Sequence, residues 1–412
     1  MVNIFTLLYF ILIIFYSFKR PISGIVLSSN AYLINALISK ISENSNFSLI
    51  SITIPLLCFS IILIRIILAT KLRFIYFNRI DLIFIVITFW FLFSTIFSVN
   101  MTASLVYVMR FIFLGLSFYV ITVLSEKLYL DKSKIFEDFI YGFLISGILM
   151  AATALYYFES SSEYIMRLTI GNAHSIPLSI ILGASILSIF YYLLTPTMNN
   201  IKYLFIIIFM PVFYALLLTN TRGALIAVLI SFTVYLITSR QVDLLKSKSF
   251  FLMLLSIFIS SFIYITSTNN TLTYRLISGF ERLATRNLGQ SETGRINAWS
   301  ESFNIFLDNL LVGVGPGGFD YIYKMYTHNI FLESLVDTGI IGFLLVFLLL
   351  LVSLLTHLSL KHSYKAIIIA FLFFAIIISL VSLTFWMHKI LFISIAMVSI
   401  GLNIKCVNNN IT

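Results

Sequence analysis

From residue 2 to residue 404 the sequence is a succession of apolar runs, each about 17 to 25 residues long and able to cross a hydrocarbon core of ~30 Å as a helix. A bilayer admits only helices or closed barrels, because backbone polar groups find no water there, and a barrel would show short alternating segments instead. The chain therefore reads as an all-α polytopic membrane protein. Its composition agrees: 60% of 412 residues are hydrophobic, 10% are charged, and the mean hydropathy is +1.06. Spans are predicted near residues 2–18, 22–39, 48–70, 80–98, 102–124, 135–157, 173–195, 200–218, 222–239, 250–266, 329–356, 366–384 and 390–404. The second is diluted by Ser23, Gly24, Ser28, Ser29, Asn30 and Asn35 and reads either as a span or as a re-entrant segment, so 12 or 13 transmembrane helices are expected.

The net charge of +10 would point to nucleic acid in a soluble protein, but here most cations mark topology, and no nucleic-acid partner is expected. Clusters at Lys71/Arg73/Arg79, Lys127/Lys132/Lys134, Lys202, Arg240/Lys246/Lys248 and Lys361/Lys365 fall in every second loop, which places those loops and the C-terminus inside. Lys19 and Arg20 also favour the inner side, which puts the N-terminus outside if the second segment spans. The first run lacks a basic leader and a small-residue cleavage site, so it is expected to be retained. Cys58 and Cys406 offer neither a disulfide framework nor a thiolate metal cluster. One connection, residues 267–328, is long and falls outside; within it, apolar positions at Ile296, Trp299, Phe303 and Phe306 predict an amphipathic helix over 292–310. Without internal repeats, residues 1–412 are expected to form a single polytopic domain with that large outer loop inserted between late spans.

Cations on the outer side oppose the topological rule and call for another explanation. The long loop holds Arg275, Arg282, Arg286 and Arg295, and Arg222 opens a span in Asn220-Thr221-Arg222-Gly223-Ala224. Arginine pairs bidentately with phosphate oxygens, so such a cluster at the membrane edge suits a pyrophosphate. Headgroup anchoring is the competing reading for Arg275, Arg282 and Arg286. Arg110 lies inside an apolar run, where a charge is costly enough to suggest a buried ligand, and it joins Arg222, Arg295, Arg275 and Arg282 as a candidate for the pyrophosphate. His328, in Tyr326-Thr327-His328-Asn329 where the long loop re-enters the membrane, has the setting of a general base, with Asn329 beside it; a helix cap is the alternative. His174 and His388 are rivals on the same side. No P-loop, His-Glu-x-x-His or Gly-x-Ser-x-Gly motif occurs, and the dispersed outer carboxylates argue against a metal site.

Taken in order, Thr221-Arg222-Gly223-Ala224, Gly294-Arg295 with Trp299, Asn309-Leu310-Leu311-Val312-Gly313-Val314-Gly315-Pro316-Gly317-Gly318-Phe319, His328-Asn329 and Asp337-Thr338-Gly339-Ile340-Ile341-Gly342 resemble the O-antigen ligase and O-antigen polymerase (Wzy-type) superfamily. The specific part covers about residues 219–345. The resemblance implies a GT-C-like helical fold in the bacterial inner membrane, with a periplasmic active site. It implies metal-independent, cofactor-free, inverting glycosyl transfer from an undecaprenyl-pyrophosphate-linked oligosaccharide. By position, Arg222 and Arg295 match the arginines that hold the pyrophosphate and His328 the histidine that activates the acceptor hydroxyl; Arg167, ahead of Gly171-Asn172, matches a looser feature.

The expected activity is that of a polymerase joining lipid-linked repeat units, with a chain-length regulator as a further candidate partner. The alternatives are a ligase passing the polymer to lipid A-core, and a lipid-linked sugar transporter or flippase. Against transport stands the absence of repeated halves.

Overall fold

The computed structural model describes residues 2–42, 50–70, 77–156, 168–170, 174–195, 202–239, 255, 257, 290–358 and 364–409. Apolar sequence on every side of a helix, without a polar stripe, suits elements that meet lipid and one another rather than water. The helices in chain order are α1 (Val2–Lys19), α2 (Pro21–Ser28), α3 (Ala31–Ser42), α4 (Ile50–Thr70), α5 (Arg79–Ser94), α6 (Met101–Arg110), α7 (Ser117–Ser125), α8 (Ser133–Tyr156), α9 (Ser175–Leu194), α10 (Lys202–Leu218) and α11 (Arg222–Ser239). They continue with α12 (Gln290–Asp308), α13 (Gly318–Tyr323), α14 (Ile330–Leu358), α15 (Lys365–Val381) and α16 (Lys389–Asn409). No strand occurs among the described residues. A helix occupies every predicted span within the described residues, whereas 250–266 lies almost wholly outside them. Seven segments meet the length and hydropathy of a membrane span, or eight if α2 and α3, bent by 47°, count as one. Helices α1, α10, α15 and α16 are apolar but offer shorter apolar stretches. The predicted amphipathic helix is α12.

Polar residues at helix starts explain several boundaries. Asn78 accepts from Ile80 N (2.9 Å) and Asp81 N (3.2 Å) while Asp81 accepts from Asn78 N (2.7 Å), a reciprocal capping box at the start of α5. Asn100 caps α6 through Ala103 N (2.9 Å). Each such bond satisfies amide donors that no helical carbonyl reaches.

The chain forms two compact units. The first contains residues 1–72, 124–277 and 363–374. Small residues bring its helices together: a side chain on Gly147 of α8 would collide with Ser185 of α9. Some of its buried polar groups bond to one another, as where Asn30 Nδ2 donates to Tyr9 OH (2.5 Å) and Ser146 Oγ. Arg20 pairs with Asp138 (3.5 Å), which also accepts from Tyr129 OH (2.6 Å), and Arg65 donates to Ser17 O (2.8 Å). The ends of α1 and α4 and the start of α8 therefore share one end of this unit. Because α4 runs from its opposite end, the segment α2–α3 carries the chain across, which favours the 13-span reading.

The second unit contains residues 73–123, 278–362 and 375–412. Helices α6 and α7 are joined by a π-helical turn, Phe111–Leu116, and α15 and α16 by a break that includes a 3₁₀ turn at Phe385–Met387. An aromatic cluster of Phe91, Phe111, Phe385 and Phe392 packs these breaks together, with Phe111 and Phe385 stacked at 5.4 Å.

Candidate functional site

Helix α14 is broken at Gly339, whose φ of 68° and ψ of −171° leave the helical region. The Gly-rich turn after α12 is threaded into this break. Val314 N donates to Val336 O (3.0 Å), Ile340 N to Leu310 O (2.9 Å), and Val99 N to Val314 O (3.0 Å), while Trp90 Nε1 donates to Thr338 O (3.0 Å). Backbone groups freed by the break are thus satisfied by the turn, the condition for irregular backbone at membrane depth. Glycine is required on both sides: Gly313 has φ 72° and a Cβ there would lie 2.5 Å from the Asp337 carbonyl carbon, and a Cβ on Gly339 would collide with Leu311 backbone.

Asp337 holds the other end of the turn. Its Oδ2 accepts from Gly317 N (2.8 Å) and its Oδ1 from Phe319 N (3.0 Å), and the carboxyl is buried. The turn then enters α13, whose Phe319 packs with Val314, Val336 and Ala298 into a small core beneath α12. The Tyr323 phenol donates to Glu301 Oε2 (3.0 Å), and this bond to a carboxylate raises the phenol above its ordinary value. Helix α12 is so fixed through Ala298, with Ile305 against the same core; Ile296, Trp299 and Phe303 are exposed and Arg295 partly exposed.

The His328 loop is fastened to the same helix. Trp299 of α12 donates from Nε1 to Thr327 O (2.9 Å), the carbonyl preceding His328. Arg295 stands one turn before Trp299, so the two share a helix face. Of the predicted residues, Arg295 is thus on the helix, and His328 on the loop, that this hydrogen bond joins. His328 itself has φ 58°, a left-handed conformation uncommon outside glycine, and its ring lies 4.1 Å from that of Tyr326. Asn329 caps α14: its Oδ1 accepts from Phe331 N (2.9 Å) and Leu332 N (3.2 Å), and its Nδ2 donates to Leu380 O (3.2 Å).

One turn into α14, Glu333 was not among the sequence candidates. It is buried, accepts from Tyr107 OH of α6 (2.5 Å), and accepts Phe385 N at both oxygens (3.2 and 3.1 Å). A cavity of about 10 Å³, room for roughly one water, is lined by Tyr107, Pro316, Glu333, Asp337, Thr338 and Phe385 among others. Acids four residues apart inside an apolar run were a visible signal, since such residues rarely sit in a span without a partner. Their partners, Tyr107 and backbone amides from distant segments, were not visible in the sequence.

The remaining described candidates lie on other elements. Arg110 ends α6 with its guanidinium 5.5 Å from the Trp386 ring centroid. Arg222 opens α11 in the first unit and is exposed. His174, also in the first unit, caps α9, its Nδ1 accepting from Ile176 N (3.3 Å). Arg167, Arg275, Arg282 and Arg286 lie outside the described residues. Among the described residues, no group of three His, Cys, Asp or Glu side chains is placed to hold a metal ion.

Compared with known families, residues 205–347 match the family described as O-antigen ligase, the stretch that contains the helix break, the Gly-rich turn, Trp299 and the His328 loop. No curated protein matches the chain.

Proposed function

We propose, for a chain whose residues 205–347 match the family described as O-antigen ligase, that it is a surface-polysaccharide polymerase joining undecaprenyl-pyrophosphate-linked repeat units at the periplasmic face of the inner membrane. The observation that carries this reading is the Trp299–Thr327 hydrogen bond, which couples the helix bearing Arg295 to the loop bearing His328. A hydroxyl of one lipid-linked glycan attacks the anomeric carbon of the other. The new glycosidic bond forms as the bond to pyrophosphate breaks, from the opposite face, so the configuration inverts. His328 takes the hydroxyl proton. Undecaprenyl pyrophosphate departs with the electron pair, and Arg222 and Arg295, with Arg275 and Arg282, neutralise the charge that grows on it.

A ligase uses the same donor chemistry with lipid A-core as acceptor, and the matching family supports either reading. Gel profiles of surface glycan from a deletion strain carrying wild type, Arg222→Ala, Arg295→Ala or His328→Ala, at matched protein levels, separate them. A polymerase defect leaves core plus one repeat. A ligase defect removes all core-linked glycan while lipid-linked polymer accumulates. An unchanged ladder in all three variants refutes the assignment of these residues.

A further inference from the structure

Arg110 sits on a face of α6 and the following π-turn whose neighbours Val106, Met109 and Phe113 are all exposed and apolar. At 1.5 Å per residue it lies about 14 Å along the helix from Met101, so the face reads as lipid-facing and the charge lies deep in the span that begins there. A guanidinium in hydrocarbon requires a counter-charge. Among the described residues the ion pairs are Arg20–Asp138 and Lys132–Glu126, and no carboxylate pairs with Arg110. Its guanidinium lies over the Trp386 ring, which offsets part of the cost of desolvation and leaves the donor fork open.

This pair stands where two helices are broken side by side. The π-turn Phe111–Leu116 faces the break before α16, and a Cβ on Gly115 would lie 3.4 Å from Trp386 O. Leu383 in that break has φ 66°, and the buried Thr384 Oγ1 and His388 Nε2 have no hydrogen-bond partner among the described residues. Single π-turns and broken spans recur at functional sites in membranes. Glu333 fixes both halves of the pair, since it binds Tyr107, three residues before Arg110, and Phe385, next to Trp386.

We infer that Arg110 and Trp386, held by Glu333, form a seat for the phosphate of a membrane lipid, entered laterally from the bilayer, with the acyl or prenyl chain along Val106, Met109 and Phe113. The chemistry recognised is a lipid phosphate; a polyprenyl phosphate and an anionic phospholipid both present it. The choice of a polyprenyl probe rests on the proposed function.

The test uses full-length protein in phosphatidylcholine nanodiscs, titrated with undecaprenyl phosphate and read by native mass spectrometry. The background is Arg222→Ala/Arg295→Ala, which removes the proposed cleft. One bound lipid phosphate is expected to remain, to weaken about tenfold or more in Arg110→Gln, and to weaken less in Arg110→Lys, which keeps the charge. Trp386→Leu is expected to weaken it as well, with unchanged helical content, so the outcome does not hang on one variant's folding. Displacement of the probe by added phosphatidylglycerol identifies a phospholipid as the natural occupant, and persistence identifies the polyprenyl lipid; both support a phosphate seat. Equal binding with and without Arg110, or loss of all binding in the background alone, overturns it. His328→Ala carries the outcome for the functional reading separately, because it is expected to leave this binding untouched.

Discussion

Replacing Asp337 tests whether the Gly-rich turn is held as described. Its carboxyl accepts two buried amide hydrogens, from Gly317 at 2.8 Å and Phe319 at 3.0 Å. Asp337→Ala strands both donors, and a buried unsatisfied donor costs about 1 to 3 kcal/mol, so the turn loses roughly 2 to 6 kcal/mol of local stability. Asp337→Asn keeps one acceptor oxygen and turns an amide hydrogen toward the other donor, for a loss of about 1 to 3 kcal/mol. Hydrogen exchange of a peptide spanning residues 313–323, followed by mass spectrometry, reads that opening directly. The expected acceleration is about 30-fold to about 25,000-fold for Ala and roughly 5-fold to 150-fold for Asn, with little change in peptides from α8 or α9. Protection in Asp337→Ala equal to wild type, in folded protein, would falsify the claim that this carboxyl organises the turn.

Other substitutions probe neighbouring links. Trp299→Phe removes one hydrogen bond, about 0.5 to 1.5 kcal/mol, and is expected to slow polymer formation roughly 2-fold to 13-fold at constant protein level, measured by ladder density in a pulse of synthesis. Gly339→Ala places a side chain at positive φ against Leu311 backbone, and is expected to cost more than about 3 kcal/mol and to abolish monodisperse protein on size-exclusion chromatography. Tyr107→Phe takes the hydroxyl donor from buried Glu333; a lower melting temperature is expected, and an unchanged one contradicts the assigned bond. His174→Ala removes a helix cap worth about 1 kcal/mol and is expected to leave the glycan ladder intact, unlike His328→Ala.

The helices were legible because hydrocarbon thickness and backbone satisfaction constrain an apolar run almost completely, and the amphipathic α12 showed through the spacing of Ile296, Trp299, Phe303 and Phe306. The α2–α3 crossing was ambiguous for a physical reason: its serines and asparagines are polar in sequence, yet Asn30 Nδ2 and Ser23 Oγ find acceptors inside the unit in Tyr9, Ser146 and Asp138 O. At the candidate site, the motifs were visible as separate pieces. That Gly313–Gly318 is threaded into the break at Gly339, that Asp337 caps it, and that Trp299 grips Thr327 are long-range facts no local pattern encodes. Glu333 was missed although an acid inside a span is itself a signal, because attention to outer cations passed over acids whose partners are backbone amides and a tyrosine.

The account's central claim is metal-independent chain growth assisted by His328. Its most direct test is turnover by purified protein in proteoliposomes containing only an undecaprenyl-pyrophosphate-linked repeat oligosaccharide, with chelator present and products resolved by mass spectrometry. The prediction is longer lipid-linked glycans, one undecaprenyl pyrophosphate released per bond formed, and loss of both in His328→Ala. Growth that persists in His328→Ala, or that stops in chelator and returns with a divalent cation, contradicts it.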